Sequence, residues 1–135
     1  MLWRELFLPS SPPPATSNTP VYAGLRPLVG GPSFLPLHIE VAVGDTVYDF
    51  LPAEPTAMAT TAALVTGQSV DGRIRLRSLK APPAIPSPRW QLIAHTMKTS
   101  DELQSFAQEQ PAALSLLSNN CFTFAARLVS FAEEP

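Results

Sequence analysis

The 135-residue chain predicts an α+β fold, on three observations. Stretches 37–43 and 46–51 are rich in β-branched and aromatic residues and flank Gly44-Asp45, a two-residue hairpin signal of the II′ type. Near the C-terminus, Cys121, Phe124, Ala125, Leu128 and Ala132 recur at i, i+3, i+4, i+7 and i+11, the apolar stripe of a helix that faces a core. Between hairpin and helix, strand-like and helix-like runs follow one another in the order β-β-α-β-β-α-(β)-α. That order describes an antiparallel sheet with helices packed at its side or end.

In chain order, residues 1–20 form a tail, disordered or targeting-like, because 9–20 are rich in Pro, Ser, Thr and Ala and hold no acidic residue. Val21 to Gly31 is broken by Gly24, Pro27 and Gly30-Gly31, so it reads as a short strand or an irregular lead-in. The hairpin follows. Pro55 suits the first turn of a helix running to Val65, with Gly67 placed to end it. A strand from Arg73 to Leu79 comes next, its three arginines alternating onto one solvated face. Residues 81–88, with four prolines, form a loop rather than a domain boundary, leaving 21–133 as a single domain. Trp90 to Met97 is another strand. Thr99 and Glu102 form a capping box opening a helix to about Gln108, and Pro111 closes that segment. Ala113 to Leu117 is a brief buried strand leading into a helix from Ser118-Asn119-Asn120-Cys121 to Phe131, with Asn119 or Asn120 as its N-cap.

Composition narrows the function. Apolar residues make up 45% of the chain, enough for a core, while a net charge of −2 with 15% charged residues offers no field for nucleic acid. One cysteine allows no internal disulfide and, with only two histidines, argues against zinc. No nucleotide fingerprint, G-x-S-x-G or H-E-x-x-H occurs, so neither a cofactor nor a metal is expected. No apolar run reaches the ~20 residues that span a bilayer, so stable membrane insertion is not expected. The expected setting is intracellular, cytoplasmic or plastid; nothing indicates an oligomeric state.

The remaining chemical signal is Cys121. A thiol in the first turn of a helix meets unpaired N–H groups and the positive end of the helix dipole, conditions that lower a cysteine's pKa from ~8.5 towards ~3.5–7.5. Alone, Cys121 reads first as a small apolar residue on a buried face. A nucleophile needs a base and a group to orient it, and the bases available are His38 and His95. His95 reads as a half-exposed strand residue. In the hairpin, Val43 opposite Thr46 sets Glu40 opposite Asp49 and His38 opposite Leu51, so His38, Glu40, Ala42, Val47, Asp49 and Leu51 share one face and Ile39, Val41, Val43, Tyr48 and Phe50 the apolar other. His38 and Asp49 are then diagonal neighbours about 7 Å apart by Cβ, within reach of a carboxylate–imidazole hydrogen bond. A Cys121-His38-Asp49 set is complete if the helix brings its first turn against that face. Glu40 is the competing acid; two ionised carboxylates side by side repel, so one is expected to be protonated or turned to solvent.

The stretch His38-Ile-Glu-Val-Ala-Val-Gly-Asp-Thr-Val-Tyr-Asp49, followed much later by Asn120-Cys121-Phe-Thr-Phe124, resembles the circularly permuted papain-like (NlpC-type) superfamily, which includes the PPPDE peptidases and lecithin retinol acyltransferase-like proteins. In that superfamily a histidine starts a β-hairpin and the nucleophilic cysteine, often in an Asn-Cys pair, opens a later helix. The resemblance implies a thiol hydrolase or acyl transferase with Cys121 as nucleophile, His38 as base and Asp49 in the third position. The expected substrate is a protein, a peptide or isopeptide, or an acyl (thio)ester. Tyr48-Asp49-Phe50-Leu51-Pro52, with Gly67, Val70, Gly72 and Arg75, is also similar to small uncharacterised plant and algal proteins. The alternative from another class is a non-catalytic papain-like protein-binding module, which the short chain and its proline-rich loop favour.

Overall fold

The computed structural model describes residues 18–26, 38–54, 57–115 and 118–135. These residues form an antiparallel sheet of six strands with three helices, an α+β fold. The strands are β1 (Thr19–Arg26), β2 (His38–Val43), β3 (Thr46–Pro52), β4 (Val70–Ser78), β5 (Trp90–Thr96) and β6 (Ala113–Leu114); the helices are α1 (Met58–Val65), α2 (Ser100–Gln108) and α3 (Cys121–Glu133). The strand order is β5-β1-β2-β3-β4-β6.

The hairpin takes its register from its turn. Gly44 adopts φ +61° and Asp45 keeps a negative φ, the pattern of a type II′ turn, so Val43 pairs with Thr46, Ala42 with Val47 and Val41 with Tyr48. Further on, Gly67 (φ +85°) ends α1 at the expected point. The helix starts at Met58 with Ala57 as N-cap, and Pro55 lies outside the described residues.

The expected lead-in is instead the full strand β1, lying inside the sheet between β2 and β5. Thr19 and Pro20, placed in the expected 1–20 tail, belong to β1; residues 1–17 lie outside the described residues. Gly24, which had spoiled the strand pattern, is a packing requirement: a Cβ there would sit 2.6 Å from the Trp90 ring. The strand expected over 113–117 is shorter: β6 covers Ala113 and Leu114, Ser115 forms an isolated bridge with Asn119, and residues 116–117 lie outside the described residues.

One face of the sheet carries the main core. Val21, Val41, Val43, Tyr48 and Phe50 pack there against Leu64 of α1, Leu103 and Ala107 of α2, and the Phe124, Ala125, Leu128 and Ala132 stripe of α3. Phe124 meets Phe50 with ring centroids 5.9 Å apart, and Phe106 of α2 stacks on Phe131 of α3 at 4.3 Å, joining the two helices. The opposite face holds a smaller cluster of Tyr22, Ala42, Val47 and Trp90. Among the described residues no helix is long and apolar enough to cross a membrane.

Candidate active site

Asn120 is the N-cap of α3. Its side-chain oxygen accepts hydrogen bonds from the N–H groups of Phe122 (2.9 Å) and Thr123 (3.1 Å), while its own N–H donates to the Thr123 hydroxyl at 2.8 Å, a reciprocal capping box. Asn119 has a different task. Its side-chain amide donates to the carbonyls of Pro111 (3.0 Å) and Ala113 (2.7 Å), and its oxygen accepts from Arg127 at 2.8 Å. The two asparagines thus fasten both the approach to the helix and its first turn, and so hold Cys121 at the first helical position, partly exposed.

The structure brings His38, Asp49 and Cys121 together. His38 is 1% exposed and Asp49 equally so. His38 Nε2 lies 3.3 Å from Asp49 Oδ2; an ionised carboxylate only accepts, so Nε2 carries the proton. The Cys121 side chain is a further hydrogen-bonding partner of the imidazole. Burial alone would lower the imidazole's pKa, but the hydrogen bonds and charges of Asp49 and Cys121 outweigh it and raise it above the ordinary value of 6.5. His95, the other histidine, is exposed on the edge strand β5.

Only the first turn of α3 meets the histidine's face; its stripe packs on the core, as its spacing predicts. The body of α3 covers the apolar face of the sheet, not the face shared by Glu40, Ala42, Val47 and Asp49. Contact is made because His38 is the first residue of β2, at the end of the sheet, where the first turn of α3 arrives.

Two further expectations are corrected. Neither carboxylate is turned to solvent: Glu40 is 0% exposed and Asp49 1%. Each is bound by guanidinium groups instead. Arg75, which pairs with Asp49 in the β3–β4 register, donates from Nε to Oδ1 at 3.1 Å and from Nη2 to Oδ2 at 2.8 Å. Arg77 donates to both oxygens of Glu40, at 3.0 and 2.9 Å, and Arg89 donates to Glu40 Oε1. The arginines of β4 are therefore not simply a solvated face; Arg75 and Arg77 neutralise charge beside the histidine. Burial would raise the Asp49 pKa, yet hydrogen bonds from His38 and Arg75 and the charge of Arg75 hold it well below the usual carboxylate range.

Arg75, Arg77 and Arg89 are the site residues that sequence reasoning missed. The signal for the first two was present in the alternation of Arg73, Arg75 and Arg77, once β4 is paired with β3. Nothing local marks Arg89, which reaches Glu40 from the proline-rich segment. No family model matches the chain, and no curated protein or solved structure matches it.

Donor atoms of His38, Glu40 and Asp49 lie within 4.8 Å of one another, a spacing compatible with a metal ion. The guanidinium groups already occupy the carboxylate oxygens, however, and a divalent cation would have to displace them against three positive charges.

Proposed function

We propose that the protein is a cysteine-dependent hydrolase or acyl transferase with a permuted papain-like arrangement, acting on the carbonyl of a peptide, isopeptide or (thio)ester. The observation that carries this reading is the buried imidazole of His38 held between the Cys121 thiol and the Asp49 carboxylate, at the N-terminus of a capped helix. Proximity in that order is what a nucleophile, its proton carrier and an orienting acid require. The order of elements, with histidine first on a hairpin and cysteine opening a later helix, supports the papain-like comparison.

In the first half-reaction the Cys121 thiolate attacks the substrate carbonyl carbon, forming an S–C bond and an oxyanion. The N–H of the first helical residue has no intrahelical partner, and Asn120 takes those of Phe122 and Thr123, so the Cys121 N–H is the first-turn donor left for that oxyanion. His38 gives its Nδ1 proton to the leaving amine, alcohol or thiol as the carbonyl–heteroatom bond breaks, leaving an acyl-thioester on Cys121. Water, or an acceptor nucleophile, then attacks the thioester and passes its proton back to His38, and the thiolate leaves. Asp49 stays ionised throughout and keeps Nε2 protonated.

The test is acylation by p-nitrophenyl acetate, followed by intact-protein mass spectrometry. The expected result is one acetyl group on Cys121 and continuing release of nitrophenol, both abolished by Cys121→Ser and slowed in His38→Ala. A thiol that acylates no faster than a free cysteine, with the fold intact, would leave the non-catalytic module as the reading.

A further inference from the structure

We infer that Arg75 is a positioning residue for the thiol chemistry proposed above, on which this inference rests: its guanidinium sets the orientation of the Asp49 carboxylate and, through it, the imidazole tautomer of His38. His38 on β2, Asp49 on β3 and Arg75 on β4 stand in a row across three neighbouring strands, and Asp49 and Arg75 are directly paired in the register. Opposed side chains in an antiparallel sheet have their Cβ atoms about 4.5–5.5 Å apart, so the pairing of β3 with β4 delivers the guanidinium to the carboxylate.

The torsion that turns an aspartate carboxylate about its own axis is broad and has no sharp minimum, so the direction of its oxygens is set by the hydrogen bonds they accept. The bond to His38 is long, at 3.3 Å between Nε2 and Oδ2, and a single long contact leaves that rotation loose. Arg75 makes two contacts, from Nε to Oδ1 at 3.1 Å and from Nη2 to Oδ2 at 2.8 Å. This is the planar fork that holds a carboxylate's plane as well as its place. Oδ2 is shared: with two lone pairs it accepts from Arg75 and from His38 together. Asp49 is buried while the Arg75 side chain is 44% exposed, so the guanidinium forms the solvent side of the pair. A carboxylate kept ionised and in plane only accepts, and the neutral imidazole facing it must present an N–H. Nε2 then carries the proton and Nδ1 is the basic nitrogen, the division of labour that a proton carrier needs. Arg75 touches neither the thiol nor the imidazole in this scheme; it acts through Asp49.

The experiment reads the ring-nitrogen NMR signals of His38 in the isotope-labelled full chain, at a pH where the ring is neutral, with the residue assigned by its loss in His38→Ala. The wild type should show one protonated nitrogen, Nε2, and one unprotonated nitrogen, Nδ1. In Arg75→Met, which keeps the aliphatic stem but removes the fork, the two signals should move towards each other as the tautomers mix. Arg75→Lys keeps the charge but not the planar fork, so it should recover more of the lost urea stability than of the tautomer, and it carries the same readout if Arg75→Met does not fold. Turnover of p-nitrophenyl acetate should fall about tenfold in Arg75→Met, the scale of a small misplacement of a reacting group. That loss should shrink to less than about twofold when Arg75→Met is made in the Asp49→Asn protein, because residues acting through one another are not additive. A wild-type tautomer in the folded Arg75 variants, a rate that rises in Arg75→Met, or an Arg75→Met loss as large beside Asp49→Asn as in the wild type would each overturn the inference. The tautomer is read without substrate. A tautomer change in the variants of a protein that never acylates therefore sinks the catalytic function alone, and acylation with an unchanged tautomer sinks the positioning role alone.

Discussion

Replacing Asp49 by Asn changes one oxygen to nitrogen in a side chain that is 1% exposed, and so removes the charge while keeping the shape. The carboxylate receives two hydrogen bonds from Arg75 and one from His38. Hydrogen bonds to charged groups contribute about 1.5–3 kcal/mol each, and breaking a buried ion pair costs about 3–5 kcal/mol. The Arg75 side chain is 44% exposed and can turn to water, which discounts its share; His38, buried, cannot. A loss of about 2–4 kcal/mol at pH 6 follows, measured as the difference in urea unfolding free energy between the two proteins. The pH dependence carries a sign. Because the folded-state pKa of Asp49 is depressed, its stabilisation is present above the unfolded value near 4 and is lost as pH falls towards the folded value. The gap between wild type and Asp49→Asn should therefore be full at pH 6 and narrow steadily below about pH 4. A difference under about 0.5 kcal/mol at pH 6, the range of an ordinary surface change, or a gap unchanged at pH 3, would refute this account of the buried pair.

Other perturbations test the parts that present the thiol. Asn120→Ala removes the acceptor of both first-turn N–H groups and should cost about 1 kcal/mol in urea unfolding; it should also slow Cys121 acylation by more than the stability loss explains, since the first turn is no longer held. Phe124→Ala, at a site 2% exposed against Phe50, should cost about 3–5 kcal/mol, read by the same unfolding curve. Gly24→Ala places a Cβ 2.6 Å from the Trp90 ring, so the indole must shift; a changed Trp90 emission spectrum together with lost stability is expected, and an unchanged spectrum would contradict the packing described.

The hairpin was legible in the sequence because its determinants are local. A positive φ that glycine tolerates, next to Asp45, fixes the register, and register alone places His38 and Asp49 on one face. The Thr99 to Glu102 capping box is local in the same way, with both hydrogen bonds formed at 3.1 and 2.8 Å. What was not legible depends on distant partners. Gly24 weakens the strand pattern of β1 until the Trp90 ring that needs the space is known. The mutual repulsion expected of Glu40 and Asp49 held only while their surroundings were unknown; arginines 26 to 49 residues away reverse the balance. The face chosen by α3, by contrast, was legible, since its apolar stripe matches Val41, Val43, Tyr48 and Phe50 rather than the charged face.

The central claim is that His38 and Cys121 act as one unit, and the most direct measurement is the rate of iodoacetamide alkylation of Cys121 from pH 5 to pH 9 in the intact protein and in His38→Ala. Because the His38 pKa is raised above its ordinary value, the imidazole is mostly protonated at pH 6 and can stabilise negative charge that develops on a neighbouring sulfur. The expected result is rapid labelling at pH 6 that falls at least tenfold in His38→Ala, with the two rates converging towards pH 9, where a free thiol ionises unaided. Equal rates in both folded proteins at every pH, or a thiol that labels only in urea, would contradict it.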